Sequence, residues 1–234
     1  MPKKTQKIKF HAFSEHTLEV RQRPVPAASL LPQWWRDIPP YTTDKFQLMP
    51  APNVTSKKCF PLLDGMSSGY IMPLWADIMV ENQEGIPFIK FINKENVVEE
   101  WPQSQLSSYQ APDGFFPKAF KYIHGWGIET PPGYSCLFTH PVAYPDTPFR
   151  TITGVVDTDR LNTEMNSPFF IKKGFSGIIE KGTPMFQVIP FKRENWESEI
   201  DLIGEKQHYL NLEKLFTNII SSYGRHYRVN KTYK

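Results

Sequence analysis

TPPGYSCLFTHP (130–141), TGVVDTD (153–159) and IIEKGTPMFQVIPFKRENW (178–196) follow one another as short apolar runs separated by turn signals. Each run has the length and composition of a strand, and Pro131-Pro132-Gly133, Gly154, Lys173-Gly174 and Lys181-Gly182 punctuate them as turns or bulges. The block reads as an antiparallel β core. It places an acidic pair, Asp157 and Asp159, just beyond a buried strand, where a ligand or a reaction could be served.

Outward from that block the chain keeps the same character. It is 14% aromatic, and its 22 prolines disfavour long helices and central strands, because proline removes a backbone donor. The expected fold is mainly β, a distorted barrel or sandwich of about eight to twelve strands with a C-terminal helix. Three regions are expected: a Pro/Trp-rich wrap over 1–56, a β core over 57–200, and a helix with a basic tail over 201–234.

In the wrap, Lys7 to Phe13 and Thr17 to Arg21 read as strands, and Ser29 as the cap of a short helix carrying Leu30, Leu31, Trp34 and Trp35. Adjacent tryptophans cannot both face one core, so one should pack under the β domain and the other cover a surface or a partner. Next, DGMSSGY (64–70) reads as a loop whose glycines let the backbone approach a ligand, and YIMPLWADIMV (70–80) as one long strand bulged at Pro73. IPFIKFI (86–92) and VVEEW (97–101) add two strands. FKYIHGWGIETPPGYSCLFTHP (120–141) adds a pair joined by the turn at Thr130 to Gly133. Leu212, Leu215, Phe216, Ile219, Ile220 and Tyr223 recur at helical spacing before Gly224, which predicts a helix docked on the sheet.

Composition bounds the partners. The formal net charge is only +3, so nucleic acid is not demanded. The basic excess is local, with Lys3, Lys4, Lys7 and Lys9 near the start and Arg225, Arg228, Lys231 and Lys234 near the end; these tails are expected to be solvated. Cys59 and Cys136 lack metal or disulfide spacing and read as reduced core residues. No apolar run approaches the roughly 20 residues that span a bilayer, and the first ten residues lack the apolar stretch of a signal peptide. A soluble intracellular protein is expected.

For chemistry, the candidate ligand pocket comprises Gly69, Tyr70, Asp77, His140, Asp157 and Asp159, with Asp157 the candidate catalytic residue. His124 and His140 are the candidate metal ligands, although neither stands at a recognised ligand spacing. Cys136 and His140 would share a strand face about 13 Å apart, too far for a nucleophile and its base. Neither a phosphate-binding P-loop nor a GxGxxG turn occurs. An anion would draw on Lys172, Lys173, Lys181, Lys192 and Arg193 beside the β block. No cofactor is assigned. Protein partners would use Trp34, Trp35 and the basic tails, and a homo-oligomer is compatible with this pattern.

Two resemblances attach to these motifs. CFPLLDGMSSGYIMPLWADI (59–78), IETPPGYSCLFTHP (128–141), TGVVDTD and GIIEKGTPMFQVIPFKREN (177–195) resemble an uncharacterised protein family of tailed phages with bacterial relatives. That resemblance implies a phage gene product, located in the host cytoplasm or in the virion, and transfers no mechanism. GVVDTD with the later KGTPMFQ is similar to the trimeric dUTPase and dCTP deaminase group. There, the likeness implies, Asp157 would orient the attacking water and contact the sugar, while Gly182 and Gln187 match the closing strand.

The departures are specific. The phosphate-binding arginine-serine-glycine motif is replaced around Thr139-His140-Pro141, and the aromatic that stacks on the base is replaced near Arg160. RHYRVNKTYK stands where the glycine-rich arm would be. Without those groups a phosphoryl-transfer site loses its electrostatic stabilisation, which leaves a related β fold without the dUTPase reaction. The resulting expectation is a protein that binds a nucleotide or other small anion. The alternatives are a structural or assembly protein of the phage particle and a metal-dependent enzyme using His124, His140 and Asp157.

Overall fold

The structure, a computed structural model, describes residues 5–42, 54–91, 95–161, 163–216 and 223–234. In chain order the strands are β1 Lys9–Ala12, β2 Val25–Pro26, β3 Tyr70–Pro73, β4 Ile78–Gln83, β5 Ile86–Phe91, β6 Val98–Trp101, β7 Phe115–Glu129, β8 Tyr134–Thr139, β9 Phe149–Thr151, β10 Gly154–Val156, β11 Glu164–Lys172, β12 Gly177–Ile179 and β13 Pro184–Lys192. The α-helices are α1 Glu15–Val20, α2 Gln33–Asp37, α3 Phe60–Ser67, α4 Gln103–Leu106 and α5 Glu205–Phe216. The first sheet runs β1-β7-β11-β9, with β6 also on β7; the second runs β10-β8-β13-β3-β2; the third is β12-β4-β5. All pairings are antiparallel, and among the described residues no sheet closes into a barrel. The expected mainly β fold is therefore the one observed.

The inner faces of these sheets supply one core. Phe120, Tyr122, Trp126 and Ile128 of β7 meet Phe169 and Ile171 of β11, Phe138 of β8, and Phe186 and Val188 of β13. No helix of the described residues is long and apolar enough to cross a membrane.

Several local expectations are corrected. Thr17 to Arg21 lies largely within α1, because Ser14 accepts a hydrogen bond from the Thr17 amide (3.1 Å) and caps the turn; the alternation of Leu18 and Val20 is that of an exposed helix, not of a strand. Ser29 caps nothing: its hydroxyl donates to the Pro26 carbonyl, and α2 starts after Pro32. DGMSSGY is helical through Ser67. The long strand is two short ones, β3 and β4, which belong to different sheets. Pro73 ends the first, and the crossing at Leu74–Asp77 is clamped by β7. Tyr122 Oη donates to the Pro73 carbonyl (2.6 Å) and accepts from the Trp75 amide (3.1 Å), and Trp75 Nε1 donates to the Ile123 carbonyl (2.7 Å). Likewise β7 and β8 are not a hairpin. Thr130 to Gly133 is a corner that carries the chain from the first sheet to the second.

Trp35 is buried with Met66 and Ala143, whereas Trp34 is half exposed and donates to the Ala143 carbonyl (3.2 Å). Cys136 is buried, but Cys59 is exposed, because it stands at the entry to α3 and not inside a strand. The described part of α5 is largely exposed, with Tyr209 and Leu210 open to solvent; of the face expected to dock, Leu212 is half-buried and Tyr223 exposed, and the side chains of Leu215, Phe216, Ile219 and Ile220 lie outside those described. The C-terminal tail is docked, not solvated. Arg228 pairs with Asp64 through Nη2–Oδ1 (2.7 Å) and Nε (3.2 Å) and lies over the Phe60 ring, and Lys231 Nζ meets the other Asp64 oxygen at 2.9 Å. These hydrogen bonds, Arg228 first, hold the Asp64 carboxyl below its ordinary range. Lys3 and Lys4 lie outside the described residues.

Candidate functional site

The corner between β7 and β8 builds the polar centre of the molecule. Asp157 follows β10, and its carbonyl accepts from the amides of Arg160 and Leu161, both at 2.9 Å, which turns the chain back sharply. That turn buries Thr158, whose hydroxyl lies 2.7 Å from the Thr130 hydroxyl and donates to Cys136 Sγ (3.3 Å). Burial pushes the Cys136 thiol up to about 11, so it is no nucleophile at neutral pH.

Arg193, just past β13, gathers the rest. Its amide donates to the Gly133 carbonyl (2.8 Å), and its guanidinium reaches the Tyr134 carbonyl (3.1 Å), Ser135 Oγ (2.9 Å), Asp157 Oδ1 (3.2 Å) and both oxygens of Asp159. Asp159 also accepts from the Gly133 amide (2.8 Å), and Ser135 Oγ donates to Asp157 Oδ1 (2.7 Å). The two carboxylates differ in environment. The Asp159 side chain is 6% exposed and forked by arginine, while that of Asp157 is 54% exposed. The hydrogen bonds from Arg193 and then Gly133 hold the Asp159 carboxyl down at about 2. Asp159 thus ties the turn to the strand ends; Asp157 keeps a face to solvent beside Ser135 and Arg193.

The same corner forms one wall of a groove. Thr130, Pro131 and Tyr134 face Tyr70 and Pro190 across a cavity of about 370 Å³, closed by Lys7 from the N-terminal segment and Tyr233 from the C-terminal one. A second hollow of about 320 Å³ shares Lys7 and Tyr70 and extends to Lys9 and Lys234. Tyr70 Oη donates to the Lys234 carbonyl (3.2 Å), and its ring stands edge-on to Phe10 and Tyr233, with centroids 5.1 and 6.0 Å away.

The remaining candidates lie elsewhere. Asp77 is half buried and accepts from the Lys181 amide (2.6 Å), which pins the β3–β4 crossing to the turn before β13. Gly69 has φ +69° and sits against the Val188 backbone. His140 is buried with both nitrogens engaged: Nδ1 accepts from the Thr151 amide (3.3 Å) and Nε2 donates to the Tyr144 carbonyl (2.9 Å). His124, on β7, accepts from the Trp126 amide through Nδ1 (3.1 Å). Burial pushes the two imidazoles down, His124 to about 3 with help from the Arg21 charge and His140 to about 4. Among the described residues no group of three or more His, Cys, Asp or Glu side chains is placed to hold a metal ion. Arg193, in the sequence only one of several cations, is the organising residue. Tyr134 lies within the TPPGYSCLFTHP motif and Lys7 within the N-terminal basic cluster, but no local pattern relates either to Tyr233.

A pH dependence follows. All three folded-state pKa values lie below their unfolded values, so the unfolded chain binds more protons in acid and stability is lost as pH falls. The histidine contribution is complete above about pH 6.5 and is lost toward about pH 3, with a slope near two protons, roughly 2 to 3 kcal/mol per unit at about pH 5. Asp159 adds its loss between about pH 4 and pH 2. Urea unfolding at pH 7, 5.5 and 4.5 should show a steepening fall; a flat profile over that range contradicts the buried neutral histidines.

No protein-family model and no curated protein matches the chain. Among solved structures, a mutant dUTPase of Staphylococcus bacteriophage 80alpha is similar to it with a TM-score of 0.37 and 13% identity, covering 86% of this chain and 98% of that one. Chemistry does not follow from a likeness at that level, and what this chain can do rests on its own residues.

Proposed function

We propose that this protein binds a small anionic ligand of the nucleotide class in the groove between its two termini. The observation that carries the reading is the composition of that groove: three tyrosines, Tyr70, Tyr134 and Tyr233, and the Lys7 ammonium line a cavity of about 370 Å³. Cavities of about 300 to 1,000 Å³ hold small molecules, tyrosine faces accept a planar ring, and lysine attracts phosphate. Thr130, Asn230 and Thr232 of the same lining add acceptors and donors for a sugar hydroxyl. The setting we propose is the infected host cell, on the resemblance to tailed-phage proteins; mass spectrometry of purified particles separates this from a virion component.

Isothermal titration with nucleoside phosphates, the matching nucleosides and inorganic phosphate tests the proposal. Nucleoside phosphates should bind, and Lys7→Ala and Tyr233→Ala should each weaken binding about tenfold, in keeping with one lost charge-assisted or stacking contact. The absence of binding at millimolar ligand, or binding indifferent to both substitutions, overturns it.

A further inference from the structure

We propose that residues Trp196 to Leu202 form a strand added to the open β12 edge of a second copy of this chain. The stretch WESEIDL places Trp196, Ile200 and Leu202, with the small Ser198, on one side and Glu197, Glu199 and Asp201 on the other. That is the pattern of a half-buried strand, yet the segment has no ladder. Trp196 is 85% exposed, Ile200 100% and Leu202 92%, and among the described residues none of 195–203 hydrogen-bonds to the β body. Both flanks of the excursion are fastened to the body, Arg193 to Asp159 and Arg228 to Asp64. Three large apolar side chains held in water on a tethered segment are costly unless something covers them.

Charge points to the occupant. Residues 194–205 contain Glu194, Glu197, Glu199, Asp201 and Glu205 and no lysine or arginine, so with +3 for the whole chain the remainder carries +8. A second copy therefore offers the complementary sign. The fitting edge is β12. Among the described residues it pairs only with β4, Ile178 stands half exposed on it, and the exposed Lys173 and Lys181 flank it. Seven extended residues span roughly 23 Å, enough to cover this short strand and reach both lysines. Strand addition of this kind takes its affinity from backbone hydrogen bonds and its specificity from alternate side chains.

Sedimentation equilibrium of the full chain over a concentration series tests it. The expected result is a species heavier than the 27.2 kDa monomer, weakened by salt. Ile200→Asp combined with Leu202→Asp should raise the dissociation constant about a hundredfold or more, with an unchanged melting temperature at low concentration. Lys173→Glu with Lys181→Glu should weaken association about tenfold, and mixing that variant with Glu199→Lys/Asp201→Lys should restore it. A monomer at every concentration overturns the proposal, as does an oligomer that survives the Ile200/Leu202 change. Association that ignores the lysine changes overturns the assigned edge. None of these outcomes depends on ligand binding in the groove.

Discussion

Gly69→Ala is expected to destabilise the protein by at least about 3 kcal/mol, a fall in melting temperature of roughly 6 to 12 °C for a chain of this size. Gly69 joins α3 to β3 with φ +69°, where an L side chain is strained, and a Cβ added there would lie 2.0 Å from the Val188 carbonyl oxygen. The obstacle is backbone of β13, the neighbouring strand, so no rotamer change relieves it. The Gly69 carbonyl also accepts from the Ala27 amide (3.0 Å), so displacement here disturbs the β2 edge as well. Gly154→Ala is the control: a Cβ added at Gly154 would meet nothing within 4 Å and its φ is ordinary, so the effect should stay within about 0.5 kcal/mol. Equal melting temperatures for the two variants would remove the close approach as the reason for glycine at 69.

Gln187→Leu should cost about 4 kcal/mol. Gln187 is fully buried on β13, and its amide serves three backbone groups: Oε1 accepts from the Val142 amide (3.0 Å), and Nε2 donates to the carbonyls of Gly65 (3.0 Å) and Ser68 (2.6 Å). Leucine fills a similar volume but leaves one donor and two acceptors without partners, each worth about 1 to 3 kcal/mol when buried. Because the lost partners belong to the end of α3 and to the loop after β8, the damage should be local first. Amide exchange at Val142 and around Ser68 should speed up more than exchange in β7 and β11; a uniform increase would show that Gln187 supports the whole sheet instead.

These two sites show how much is legible in the sequence. Gly69 stands out as one of two glycines expected to let the backbone approach a ligand; the close approach that exists is instead to the Val188 carbonyl of β13. Gln187 stands out through the KGTPMFQ motif, and the structure supplies its physical work as a side-chain bridge between β13, α3 and the β8 loop. Thr17 to Arg21 misleads because two-residue alternation over five positions is also compatible with an exposed helical turn, and the Ser14 cap decides between them. YIMPLWADIMV misleads because a continuous apolar run does not reveal that its two halves join different sheets; Tyr122 and Trp75, far apart in sequence, make that break.

The candidate site divides in the same way. Asp157 and Asp159 are legible as an acidic pair beyond a strand, but their division of labour is not, since it depends on Arg193 arriving from β13, 34 residues beyond Asp159. The Lys7, Tyr70 and Tyr233 groove is assembled from both chain ends, which no local pattern relates.

What the sequence by itself determined is therefore local: strand-length apolar runs, the turns that separate them, and the proline content that keeps helices short. Tertiary structure alone decided which strands share a sheet, which carboxylate is clamped and which faces solvent, and that the basic C-terminal tail folds back onto Asp64. The physical reason is that hydrogen-bond and charge partners in a β fold are distant in sequence, so only the folded chain brings them within a few ångströms of one another.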